Sequence, residues 1–411
     1  GKSIGGGTSI NWQTSLETPT EVLNEWDELT KQKDYFNSDA FRESIKHVVD
    51  NLGVTTDFNH IPLKEEKLAE GFDKNNIGYR VIPKNNHSTH GMECGFCAFG
   101  CGYESRNSSY RIWLENEEFN GDIYSDTGIQ KIIIDNNKAT HIEVENNGKV
   151  SRIEVERVIL AGGSLNTPSI LLNSGYKNPQ LGKNLKTHPV SGVAGKFKEE
   201  QKPWYGSMQG MHSEDFLFKT NNYGYLLQGL PMHPSIFFPY FPNFVSSAED
   251  FIESYNHWSG AIVLTSDTSS GSLINNGPLW KYKLNDFDNI HLLDGLTQLV
   301  RSYYLAGAEE IMVSASPTMH WNRNENVDIE EFLSKILSIK NQPYRLLLGS
   351  AHQMGTARIN PNPEQGVVDL DGKVHGLENV YIVDASTFPR CSGVNPMISI
   401  QSMSHFLMSK I

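Results

Sequence analysis

The run Val158-Ile159-Leu160-Ala161-Gly162-Gly163-Ser164 constrains this chain more than any other segment. Its first three residues predict a buried strand, its glycines a tight turn, and the apolar Ile170-Leu171-Leu172 beyond it a helix. Strand, glycine turn and helix make one half of a dinucleotide-binding unit, because unpaired N–H groups at a helix start favour an anion such as a pyrophosphate. Alone, the segment fits a plain strand-turn-helix connection at least as well. A complete Gly-x-Gly-x-x-Gly with its downstream acidic residue occurs nowhere in the chain, and Gly5-Gly6-Gly7 has the wrong spacing.

Around this anchor the pattern is mixed. The glycine-rich opening leads into an amphipathic helical stretch over 19–52, a short helix over 67–72 and a strand over 79–82. From 131 to 160 the pattern is β, with Asn146-Asn147-Gly148 as a hairpin turn because these residues tolerate positive φ. Residues 191–340 are aromatic-rich and read as a second, mixed domain, with helices over 286–306 and 329–339. The final block predicts a strand at Val380-Tyr381-Ile382 and a helix opened by Asn395-Pro396.

Charge and length exclude some function classes. With 35 Lys+Arg against 48 Asp+Glu among 411 residues, the net charge of −13 argues against sequence-independent nucleic-acid binding. No apolar run approaches the ~18–20 residues that cross a bilayer, so a soluble body is expected. Four cysteines are too few for a disulfide framework, which points to a reducing, intracellular compartment.

Ala351-His352-Gln353-Met354-Gly355-Thr356, Val383-Asp384-Ala385-Ser386 and Ser392-Gly393-Val394-Asn395-Pro396-Met397 together resemble the C-terminal signature of the glucose-methanol-choline (GMC) flavin oxidoreductases. The likeness extends to Gly5 through Asn11, to Ala161 through Leu172, and to Gly182-Lys183-Asn184-Leu185 followed by His188-Pro189. The segment Cys94-Gly95-Phe96-Cys97-Ala98-Phe99-Gly100-Cys101 is similar to the long-chain fatty alcohol oxidase branch. The resemblance implies an α/β fold: a Rossmann-like FAD-binding domain in pieces (1–15, 121–190 and 345–411), a segment over 16–120 covering the flavin, and an inserted α+β substrate domain over 191–344. The N-terminal ADP-binding βαβ unit of such proteins is expected to be missing here.

It also implies FAD as cofactor, oxidation of a long-chain primary alcohol to the aldehyde with hydride transfer to flavin N5, and oxygen as acceptor. Alternatives are a sterol or other alcohol dehydrogenase of the same family, and an inactive remnant. Imidazole suits proton abstraction near neutrality, and His352 is the candidate base. Asn395 stands where the family places His or Asn, and its amide could steady the substrate oxygen; its plainer role is a helix N-cap. Expected at the cofactor are Gly6, Gly7, Asn11, Gly162, Gly163, Asp384, Ala385, Asn395, Pro396 and Met397, with a capping role for Asp384 weighing equally.

Cys94, Cys97 and Cys101 approach the spacing of zinc or iron–sulfur ligands, but a fourth ligand is missing nearby; reduced structural thiols are the expectation, and no metal is assigned. The aromatic stretch 237–244 could line an alkyl tunnel or simply be core. Membrane association through an upstream segment is a further expectation. Ser409-Lys410-Ile411 departs in its last residue from the peroxisomal Ser-Lys-Leu, and a chance tripeptide carries equal weight.

Overall fold

A computed structural model describes residues 1–88, 93–237 and 248–411. The helices that place the site are α1 (Thr20–Thr30), α2 (Asp39–Asn51), α3 (Leu63–Lys74), α4 (Gly163–Asn173), α5 (Asp286–Leu305), α6 (Ile329–Leu337) and α7 (Met397–Met408). The strands are β1 (Arg80–Val81), β2 (Thr127–Asp135), β3 (Lys138–Asn146), β4 (Lys149–Glu154), β5 (Val158–Leu160), β6 (Val190–Lys196), β7 (Met211–Ser213), β8 (Tyr225–Leu230), β9 (Trp258–Thr265), β10 (Glu310–Val313), β11 (Met319–Asn322) and β12 (Val380–Ile382).

The predicted strand at Val158 forms, and its partner is distant in sequence: β5 pairs in parallel with β12, Val158 opposite Val380 and Leu160 opposite Ile382. A parallel pair needs a long connection, and here the whole middle of the chain supplies it. Beside this pair lies the meander β2-β3-β4. Asn147 and Gly148 turn its second hairpin at φ 48° and 76°, the left-handed pair that a two-residue loop requires. The first core gathers here, with Trp26, Phe41, Leu160, Phe388 and Leu407 among its buried side chains.

The middle of the chain forms a seven-stranded antiparallel sheet in the order β11-β10-β6-β9-β8-β7-β1. The second core, which includes Leu68, Phe72, Val263, Leu296, Tyr303 and Ile336, lies between this sheet and α3, α5 and α6. Two glycines permit the approach: a Cβ on Gly295 of α5 would lie 2.5 Å from Val263 of β9, and one on Gly71 of α3 would lie 2.3 Å from the Ser302 carbonyl of α5. Of the aromatic stretch 237–244 only Phe237 lies within the described residues.

The single helical stretch expected over 19–52 is two helices. Lys31 takes φ 56° and ends α1, while the buried Asp27 carboxylate accepts the N–H groups of Tyr35 (3.1 Å) and Phe36 (2.8 Å). Ser38 then caps α2 through the Phe41 N–H at 3.2 Å. The segment 16–120, expected as one unit, is shared: α1 and α2 bury Trp26 and Phe41 in the first core, and α3 buries Leu68 and Phe72 in the second. Among the described residues no helix is long and apolar enough to cross a membrane.

Candidate active site

Several loops remote in sequence build the site. The loop bearing His352 is stitched to its neighbours by backbone: Met354 and Lys186 exchange N–H···O bonds at 2.9 and 3.0 Å. Ser164, at the start of α4, donates its hydroxyl to the Gln353 carbonyl at 2.8 Å, and Thr356 returns a bond to the Ser164 carbonyl at 2.6 Å. The glycine turn after β5 and the His352 loop are therefore one unit.

His188 joins that unit to the loop before α7. The Gly393 N–H donates to His188 Nε2 at 3.2 Å, and His188 Nδ1 lies 3.2 Å from His352 Nδ1, the rings at 87°. An Nε2 that accepts must be bare, so neutral His188 carries its proton on Nδ1 and donates it to His352 Nδ1. His352 in its neutral form then holds its proton on Nε2, which has no protein partner among the described residues.

Burial pushes His188 down to about 4, against the nearby Asp267. Burial, and then the neighbouring His188, hold His352 well below its ordinary value. Both rings are neutral at pH 7.

Asn395 is aimed by a chain of amides. The Thr14 hydroxyl donates to Gln209 Oε1 (2.8 Å), Gln209 Nε2 to Gln228 Oε1 (3.2 Å), and Gln228 Nε2 to Asn395 Oδ1 (2.7 Å). With Oδ1 engaged, Asn395 is left with its NH₂ as the free end. No side-chain cap bond is made at the start of α7, so the capping role considered for Asn395 is not the one it plays. Only Val394 separates Asn395 from Gly393, so His352 and Asn395 are joined through His188 and one loop. Arg390 holds that loop by its ion pair with Glu25, its 3.0 Å bond to Ser266 and its stacking on Tyr223.

The other expected residues divide. Asn11 donates to the Met397 sulfur at 2.9 Å, so the N-terminal loop meets the first turn of α7. Pro396 precedes that turn, whose partial positive charge faces the same region. Asp384 is spent inside the protein: Oδ2 accepts from the Gly163 N–H (2.9 Å) and the Thr167 hydroxyl, Oδ1 from the Ser386 N–H (2.8 Å). It acts as a cap, with the buried Ala385 accepting the Gly355 N–H at 3.0 Å. The Gly162 N–H likewise goes to Thr167, at 2.9 Å. The Gly162 and Gly163 N–H groups at this turn are thus occupied, and what these two glycines offer is closeness.

Residues 1–190 match the N-terminal model of the GMC oxidoreductases, and residues 255–404 match the C-terminal one. The chain belongs to the GMC oxidoreductase family. The long-chain-alcohol oxidase FAO4A of Arabidopsis thaliana is 32% identical over 430 residues, covering 98% of this chain and 58% of that relative. This chain therefore spans about three-fifths of the curated relatives' length. Among solved structures, formate oxidase superposes with TM-score 0.69 at 16% identity, covering 100% of this chain and 84% of the other. An FAD-dependent oxidoreductase from Chaetomium thermophilum gives 0.64 at 15%, covering 98% and 85%. These two carry the α/β fold.

FAD is the cofactor of this family. The residues present fit one side of it: a Cβ added at Gly6, Gly7 or Gly163 would meet nothing within 4 Å, so two stretches of bare backbone border open space. Thr14, Gln209, Gln228 and the tautomer-setting role of His188 escape sequence reasoning. Lone Gln and Thr residues carry no spacing signal, and His188 was visible only as a family landmark.

Proposed function

We propose that the protein, with FAD bound, oxidises a long-chain primary alcohol to the aldehyde and passes the electrons to oxygen. What supports this reading is that two nitrogen ends without a protein partner among the described residues, His352 Nε2 and Asn395 Nδ2, lie on elements joined through His188 and the Gly393 loop. The likeness to FAO4A over 98% of the chain supports the substrate class.

When bound, FAD supplies the two-electron acceptor. The chain's own residues handle the proton and the oxygen. Asn395 Nδ2, held outward by Gln228, donates to the carbinol oxygen as negative charge grows there. His352 receives the hydroxyl proton, and for that Nε2 must be bare. The resting order of hydrogen bonds places a proton on it, so substrate entry has to exchange the contact with His188, moving the ring's own proton to Nδ1. The same Nε2–H form steadies an alkoxide. His352 is thus the acid–base group, and His188 sets its tautomer.

The test uses the full-length coding sequence. Dodecanol, cholesterol and glucose are each offered to the yellow protein while peroxide is measured. Turnover of dodecanol with peroxide release is expected; activity confined to cholesterol or glucose would replace the substrate class, and a colourless protein would remove the reading altogether.

A further inference from the structure

Apart from the catalytic loops, three thiols face one cavity. Cys94, Cys97 and Cys101 line a cleft of about 500 Å³ together with Gln13, Phe96 and Tyr103. All three are free. Their backbone is wound to present sulfur: Gly95 and Gly100 take φ 80° and 103°. The Cys101 sulfur lies 3.4 Å from the Ser105 hydroxyl.

Two further observations point to a ligand. Gln13 is buried, with 1% exposure, and borders the cleft; its backbone is held at φ 65°, its Nε2 donates to Cys97 Sγ at 3.6 Å, and its Oε1 has no partner among the described residues. An orphaned buried carbonyl costs about 1–3 kcal/mol unless something meets it.

The second observation is charge. The buried Lys84 donates to the carbonyl of Trp12, next to Gln13, at 3.0 Å, and the buried Arg106 donates to the Cys97 carbonyl at 2.8 Å. The buried Lys64 is paired with the buried Glu65 at 3.9 Å, while Lys84 and Arg106 have no carboxylate partner among the described residues. Buried positive charge in such excess calls for an anionic neighbour.

We propose that Cys94, Cys97 and Cys101 bind a thiolate-ligated metal centre, with Gln13 Oε1 as the remaining donor. Three thiolates supply the negative charge that the surrounding cations require, and the metal keeps them deprotonated. A zinc ion and an iron–sulfide cluster share this chemistry. The three sulfurs do not all lie within 4.8 Å of one another, so a single zinc, whose sulfur ligands sit roughly 3.8 Å apart at ordinary bond lengths, would draw the loop inward. A sulfide-bridged cluster spans wider spacing.

The group His188, Asp267 and Cys391 does meet that distance. Its donors are occupied, however: both His188 nitrogens are bonded, and Asp267 accepts from Thr187, His188 and Tyr282.

The full-length protein, purified on a tag without histidine, is assayed for metals and acid-labile sulfide. About one zinc per chain, or several irons with matching sulfide and visible absorption, is expected. Cys94→Ser, Cys97→Ser and Cys101→Ser should each lower the content about tenfold or more, while Cys391→Ser retains it. Metal release by a mercurial into a colorimetric chelator, with alkylation of the three cysteines mapped before and after, gives the same answer on unmutated protein if the variants fail to fold. Less than about 0.1 metal per chain with the three thiols freely alkylated or oxidised to a disulfide overturns the proposal, as does metal that survives these substitutions but is lost in Cys391→Ser.

Discussion

At the scale of single residues, the site is a problem in hydrogen-bond direction. His352→Ala should lower turnover by about 10²–10⁴-fold, the usual span for a general base, while flavin absorbance is retained; undiminished turnover would remove His352 from the chemistry. Because burial and His188 hold His352 below its ordinary value of 6.5, kcat/KM should stay flat from neutrality down past pH 6 and fall only on further acidification. His188→Ala removes the donor to Nδ1 and one cause of the depression, so the acid limb should move upward; an unmoved profile argues against tautomer control. Gln228→Leu leaves Asn395 free to turn over. Its expected signature is a loss of about tenfold or more in kcat, with KM little changed, as for a misdirected oxyanion donor. His352 and Asn395 stand out in the sequence because motif context singles them out, and the structure links their loops through His188. Gln228 does not stand out, because a glutamine in a strand carries no message until the fold brings it beside Asn395.

At the scale of elements, local patterns were good guides wherever one periodicity ran unbroken. The hairpin turn at Asn147-Gly148 and the helix over Asp286–Leu305 were legible from turn chemistry and apolar spacing. The break between α1 and α2 was not, because it depends on a carboxylate, Asp27, capping chain eight and nine residues downstream. The seven-stranded sheet was equally obscure, since β6 pairs with the remote β9 and β10, β1 with the remote β7, and its inner members are buried on both faces, which erases alternation. The contact of α1 with the loop before α7 can be weighed directly. Trp26 is fully buried and meets the rings of Phe36, Phe41 and Phe388 at 5.5, 6.5 and 4.9 Å. Trp26→Ala should cost about 3–5 kcal/mol, read as a lower midpoint in urea, and a loss under ~1 kcal/mol would mean the cavity collapses without penalty.

At the scale of the whole molecule, two cores share one buried proton account. Asp267 is pushed up to about 7, mainly by burial and then by Cys391, while His188 is pushed down to about 4. A lowered histidine loses stability as pH falls from its unfolded value, about 6.5, toward 4, because the unfolded chain takes the proton and the folded one refuses it. A raised aspartate does the reverse over the same window, its folded form taking the proton first. The two contributions offset, so this pair should leave stability nearly flat between pH 6.5 and 5. Asp267→Asn should unmask the histidine, and the variant should lose up to about 3 kcal/mol on going from pH 7 to 4 relative to the parent; parallel melting curves for both proteins would show that the offset does not operate.

The relay from Thr14 through Gln209 and Gln228 to Asn395 has a consequence of its own. A carboxamide flips at little cost in isolation, but here one cannot invert unless every link inverts with it and the hydroxyl at the far end is rehung. The orientation of the Asn395 amide is thereby decided by majority, and a disturbance anywhere along the row, including one arising in the opposite half of the protein, reaches this side chain as a reversed polarity rather than as a displacement.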